Sequence, residues 1–168
     1  ENGQYGKGNG REKWEPELVI VSPLKRCRQT AEILFPGTEQ IVCEKMRECD
    51  FGLFEGKNYL ELTGDPAYQS WIDSGGTESF PGGEDPMDFR RRCICGFEEM
   101  MEKMIEEKRQ KVGVVVHGGT IMSVMEAFDP GKQEFYHWQV KNGNGFRFQI
   151  REEEWQQGKR QFEEIEEI

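Results

Sequence analysis

A β-branched run that ends at a histidine followed by two glycines, Val115-Val116-His117-Gly118-Gly119-Thr120, is the stretch of this chain best suited to chemistry. The run reads as a buried strand and the glycines as the opening of a helix. The imidazole then stands at a strand's carboxyl end, beside helix N–H donors that favour an anion. A histidine there also serves as a satisfied core residue. A second strand-to-helix junction, Leu18-Val19-Ile20-Val21-Ser22-Pro23-Leu24-Lys25-Arg26, carries an arginine to an equivalent place. About one turn into its helix, Arg26 can fold its guanidinium over the helix N-terminus and grip phosphate oxygens in a bidentate fork. Taken singly it reads as a solvated arginine, and Lys25 and Arg28 belong to that solvated face. Glu48 is a candidate general acid, because a nearby phosphate raises a carboxyl pKa and suits it to protonate a leaving alkoxide. It could equally be one unremarkable acid among 32. Two such junctions describe a phosphate pocket.

The elements that must hold these side chains can be read from pattern. Leu18 to Val21 is a short continuous apolar run, the mark of a strand buried on both faces. Ser22 and Pro23 fit N-cap and first helical position, predicting a helix through Leu34 that Pro36-Gly37 stops. Ile41 to Cys43 is a candidate short strand. The stretch Arg47 to Gly83 reads as an excursion of loops and short helices, packed down by Phe51, Phe54, Tyr59, Tyr68 and Trp71. Within it Pro81-Gly82-Gly83-Glu84 is a tight turn whose default meaning is structural. Asp85-Pro86 repeats the cap-and-proline start, and Phe89, Cys93, Phe97, Met100 and Met104 follow at helical spacing. The methionines read as core filler. Val112 to Val116 is a second buried strand and Thr120 to Phe128 a helix. Phe146, Phe148 and Ile150 alternate as in a half-buried strand. Residues 1–17 read as loop or frayed end. The charged residues 151–168 suit a helix or an edge hairpin.

Bulk composition limits the partners. At 168 residues and 35% hydrophobic content, a single domain with a sizeable core is expected over residues 1–168. A formal net charge of −10 repels nucleic acid and anionic membranes, so any phosphate site must be a local basic pocket. No apolar run approaches the roughly 20 residues of a membrane span. Five cysteines without a C-x-x-C pair favour reduced thiols and a cytoplasmic location. Cys93 and Cys95, two apart on a helix, point to different faces and argue against a metal site.

Four motifs stand in an order seen in a known family: Ser22-Pro23-Leu24-Lys25-Arg26-Cys27-Arg28-Gln29-Thr30-Ala31, then Arg47-Glu48-x-x-Phe51-Gly52-x-x-Glu55-Gly56, then Pro81-Gly82-Gly83-Glu84, then Val116-His117-Gly118-Gly119-Thr120. From about Leu18 to Phe148 the chain resembles the histidine phosphatase superfamily, the phosphoglycerate mutase-like enzymes. Trp71-Ile72-Asp73-Ser74, the Phe80-Pro81-Gly82-Gly83 turn and Trp138-Gln139-Val140-Lys141-Asn142-Gly143 bring it nearest to α-ribazole phosphatase-like proteins. The resemblance implies a three-layer α/β/α sandwich with a mostly parallel sheet. It implies hydrolysis of a small phosphate ester through a phosphohistidine, with inorganic phosphate as product and no metal or organic cofactor. Arg26 resembles the family's second phosphate-binding arginine, Glu48 its proton donor and His117 the second pocket histidine, with the Gly118 N–H adding a donor.

One departure is plain in the sequence. The family's nucleophile is a histidine in an Arg-His-Gly motif at the end of its first strand, and only His117 and His137 occur here. His137, in Phe135-Tyr136-His137-Trp138, reads as packed aromatic surface. The chain opens on glutamate, and the expectation is that it begins after that motif and lacks the first strand. The alternative is an inactive phosphate-binding module; a mutase is a third, less favoured reading. A sheet without a central strand is expected to expose backbone edges and to self-associate.

Overall fold

In the computed structural model, which describes residues 14–168, the first strand is β1 (Leu18–Val21), with all four side chains fully buried. It is followed by α1 (Lys25–Leu34) and β2 (Gln40–Val42). The excursion then runs through 3-10 turns at Glu44–Met46 and Gly52–Phe54 and two short helices, α2 (Tyr59–Leu62) and α3 (Pro66–Asp73). Next come the long helix α4 (Pro86–Glu106), β3 (Val112–Val115) and α5 (Gly118–Phe128). A 3-10 turn at Phe135–Trp138, β4 (Phe146–Gln149), α6 (Glu152–Gln156) and β5 (Glu163–Glu167) complete the order.

β1 lies between β2 and β3 in a parallel sheet, and β4 pairs antiparallel with β5 in a separate hairpin. Val21 stands beside Val42 on one side and Val115 on the other. The three strands therefore end at one level. Alternation along β1 makes the layers: Leu18 and Ile20 pack with Phe97, Met100 and Met104 of α4 and Val124 of α5, whereas Val19 and Val21 pack with Ala31 of α1. This is the expected three-layer α/β/α arrangement. No helix among the described residues is long and apolar enough to cross a membrane.

Helix α4 starts as read. Asp85 accepts hydrogen bonds from the amides of Met87 (2.9 Å) and Asp88 (3.1 Å), Pro86 takes the first position, and the face from Phe89 to Met104 is buried. Cys93 is buried and Cys95 exposed, and none of the five cysteines is in a disulfide.

Several expectations are corrected. α1 begins at Lys25 with Leu24 at its cap, not at Pro23; the Ser22 hydroxyl bonds to His117 at 2.7 Å and accepts only a long bond, 3.4 Å, from the Leu24 amide. Arg26 thus lies in the first turn. β2 falls one residue earlier than read. β3 is half-buried except at Gly113, since only β1 pairs with it among the described residues. Tyr59 does not pack the excursion down; it opens a four-residue helix and is 68% exposed. Residues 1–13 of the segment read as loop lie outside the described residues. Glu17 is tied in, its N–H donating to the Lys111 carbonyl at 2.8 Å and its carboxylate accepting from the Gln110 amide at 3.0 Å. The final segment is both things offered for it, a short helix and then a hairpin strand. The four glutamates of β5 are tolerated because Arg147 and Arg151 reach across to Glu166 and Glu163. Phe162, fully buried, stacks on Phe148 at 3.8 Å between ring centroids and fastens this hairpin to the core.

Candidate active site

The carboxyl ends of β1 and β3, neighbours in the sheet, each lead into a helix, and the turn after β2 lies at the same edge. Arg26 comes from the first turn of α1, His117 from the residue before α5, and Glu48 from the loop after the Glu44–Met46 turn. The structure brings all three together. Arg26 Nη2 lies 3.3 Å from His117 Nδ1, and Glu48 Oε2 lies 3.6 Å from each of those atoms.

The tautomer of His117 follows from its partners. A guanidinium only donates, so Nδ1 must offer a lone pair to Arg26. The ring proton is then on Nε2, which donates to Ser22 Oγ at 2.7 Å. Burial, reinforced by the Arg26 charge, pulls the His117 pKa down to about 4, so the ring is neutral near pH 7. Both its nitrogens are occupied and its side chain is 4% exposed. Glu48 moves the opposite way: burial raises its pKa above the ordinary carboxyl value, against the lowering effects of the Cys49 N–H and the Arg26 charge. Arg26 keeps 63% of its side chain exposed and faces solvent over the pair.

Room for an anion is set by glycines. A Cβ on Gly118 would meet nothing within 4 Å, so the start of α5 borders open space on that side. At Gly119 a Cβ would press on the Phe89 ring at 3.0 Å, with Glu48 Oε1 at 3.8 Å. A larger residue would make the Phe89 ring give by a few tenths of an ångström, whereas Glu48 is already at ordinary contact distance. Among the described residues no group of three or more His, Cys, Asp or Glu is placed to hold a metal ion. His137 is exposed, edge-on to Trp138 in its 3-10 turn.

Four residues were given no part in the site by the sequence reading. Ser22 passed for a helix cap, but its hydroxyl is the anchor of the His117 ring. The Cys27 thiol lies 3.6 Å from His117 Nε2, and burial raises its pKa. Arg92 and Glu84 form a bidentate pair at 2.9 and 2.8 Å beneath the Glu48 loop. The available signal for Ser22 was its place directly after a fully apolar strand; for Arg92, its position eight residues beyond Glu84 had no meaning until α4 was docked.

Known proteins share this fold. The family model for the histidine phosphatase superfamily (branch 1) matches residues 9–161. A protein of Hydrogenobacter thermophilus that carries a phosphoserine phosphatase name is 27% identical over 118 residues, 67% of this chain and 56% of its own length. Phosphoglycerate mutase-like protein 4 of Arabidopsis thaliana is 28% identical over 122 residues, 69% of this chain and 52% of its own. The chain thus spans about half the length of these curated relatives. The crystal structure of the alpha-ribazole phosphatase from Shigella flexneri superposes with a TM-score of 0.67 at 19% identity, covering 82% of this chain and 69% of that one. That of phosphoglycerate mutase from Bacillus anthracis gives 0.66 at 18%, covering 92% and 73%, so the likeness of both is one of fold. With its parallel sheet, its His-Gly-Gly helix start and a family match over most of its length, this chain belongs to the histidine phosphatase superfamily, branch 1.

Proposed function

We propose that the protein hydrolyses small phosphomonoesters through a phosphohistidine, with α-ribazole phosphate or an ester of similar size as substrate. The observation that carries this reading is the convergence of Arg26, His117 and Glu48 within 3.6 Å at the carboxyl edge of a parallel sheet. Arg26 and the Gly118 N–H hold the phosphoryl oxygens. His117, neutral when the pocket is empty, gains a reason to take a proton on Nδ1 when a dianion arrives and draws Arg26 away. Glu48, its acid form favoured by burial, gives a proton to the leaving alkoxide as the P–O bond breaks. Water then attacks the phosphohistidine, returns a proton to Glu48 and releases inorganic phosphate.

The nucleophilic imidazole is assigned to a strand laid along β3. From the two ends of β1, Ser22 N–H reaches the Val115 carbonyl and Glu17 N–H the Lys111 carbonyl, so by alternation along β3 the backbone groups of Val112 and Val114 point away from β1. Among the described residues no strand pairs with that side. A parallel strand placed there ends beside His117, where an Arg-His-Gly sequence would face the phosphoryl group. For the chain as given, with His117 engaged and His137 on the surface, the corresponding reading is anion binding without turnover.

The test is restoration. A protein carrying an Arg-His-Gly strand ahead of residue 14 should hydrolyse alkyl and nitrophenyl phosphates, and the same strand with alanine for its histidine should not. In the active form Glu48→Gln should slow alkyl phosphates by roughly 10²- to 10⁴-fold. Nitrophenyl phosphate, whose leaving group barely needs a proton, should lose far less. Turnover by the present chain that disappears on replacing His137 would refute the assignment.

A further inference from the structure

We infer that Arg92 is a positioning residue for Glu48: its guanidinium, held by Glu84, fixes the backbone on both sides of that carboxylate. Arg92 Nη1 donates to the Lys45 carbonyl at 2.7 Å and to the Arg47 carbonyl at 3.1 Å, immediately ahead of Glu48. Its Nε and Nη2 grip the two Glu84 oxygens. Glu84 in turn binds the chain just past Glu48, its N–H donating to the Asp50 carbonyl at 2.9 Å and its Oε2 accepting from the Asp50 amide at 3.4 Å. One side chain on α4 thus connects residues 45, 47 and 50 to a rigid helix. The pair is only 15% and 16% exposed, and each partner stabilises the other's charge. Helix and loop are already close, since a Cβ on Gly96 would lie 2.7 Å from Lys45 Cβ. The guanidinium makes these four bonds at once from one planar fork; an ammonium, with three donors clustered at a single atom, cannot reproduce them.

The inference rests on Glu48 as proton donor only for its catalytic consequence, so two measurements separate the claims. The charges facing Glu48 are Arg26 from α1, Glu55 from the following loop and Arg92 from α4, with the His117 ring against it. Arg92→Lys keeps the charge and breaks the fork. In the present chain, labelled with ¹³C at glutamate carboxyls, the Glu48 resonance (identified by its loss in Glu48→Gln) should titrate above the ordinary carboxyl range. In Arg92→Lys it should fall back into that range as the loop opens to water, while Arg91→Lys, on the exposed side of the helix, leaves it unmoved. In the active, strand-restored protein, Arg92→Lys should cost alkyl phosphates about 10- to 100-fold, the scale of a misplaced group, and nitrophenyl phosphate less than about threefold. In a Glu48→Gln background it should cost nothing further. Should Arg92→Lys fail to fold, Glu84→Gln, which weakens the same clamp, must produce the same pattern. An unshifted Glu48 titration in a folded variant, or equal losses on both esters, overturns the inference. Absence of a leaving-group effect in Glu48→Gln alone would instead overturn the role given to Glu48, with the titration still deciding what Arg92 does.

Discussion

With its single proton on Nε2, His117 is held between a hydroxyl and a guanidinium, and that arrangement has a thermodynamic sign. Its folded pKa of about 4 lies below the unfolded value near 6.5. Above pH 6.5 both states are neutral there and the native contribution is intact. As pH falls from 6.5 towards 4 the unfolded chain takes a proton that the folded one refuses, and about 3 kcal/mol of stability is lost. Denaturant titrations should show this slope in the native chain and its absence in His117→Gln. Glu48 has the opposite sign, its raised pKa making the ionised form the costly one at neutral pH. Phosphate or vanadate binding should therefore bring net proton uptake, as the dianion favours the acid form of Glu48 and the cation of His117. Calorimetry in buffers of differing ionisation enthalpy should record it, and Glu48→Gln should reduce it. The meeting of Arg26 and His117 was legible in the sequence, because strand-end and helix-start patterns fix where such side chains point, whereas Glu48, in a loop, stood out only through the family motif. Ser22 was not legible, since a cap and a ring anchor look identical until the partner 95 residues away is docked.

At the scale of elements, the excursion is fastened by backbone meeting backbone. A Cβ on Gly52, whose φ is +56°, would fall 2.2 Å from the Pro81 carbonyl, and one on Gly83 would fall 2.5 Å from the Asp50 carbonyl. Gly83→Ala should lower stability by about 1–3 kcal/mol, the usual cost of forcing atoms into a full space. It should also shift the Glu48 loop, so that activity on alkyl phosphates falls more than thermal stability alone accounts for. Melting curves beside leaving-group comparisons check this. The strands β1 and β3 and helix α4 were readable because apolar runs and an Asp-Pro cap carry their own local physics. Strand β4 was readable from its alternation, but between helix and edge hairpin for residues 151–168 the sequence did not choose, since a strand rich in glutamate declares itself only through Arg147 on β4 and Arg151 just beyond it.

At the scale of the whole molecule, the side of β3 away from β1 pairs with no strand among the described residues. The outward amides of Val112 and Val114 should exchange with solvent faster than those of Gly113 and Val115, and should become protected when a strand carrying Arg-His-Gly is supplied. Equal protection of all four in the present chain would mean that the edge is already covered. Without such a strand, light scattering should show self-association that rises with concentration. The excursion between Gly52 and Gly83 is closed at its two ends. Leu53 N–H meets the Pro81 carbonyl at 2.8 Å and Glu84 N–H meets that of Asp50, so the intervening chain leaves and returns through one fixed gate. Doubling the length of such a closed loop costs only about 0.6 kcal/mol. Residues added or removed between Gly52 and Gly83 therefore cost little, while the sheet and the site at its edge keep their geometry.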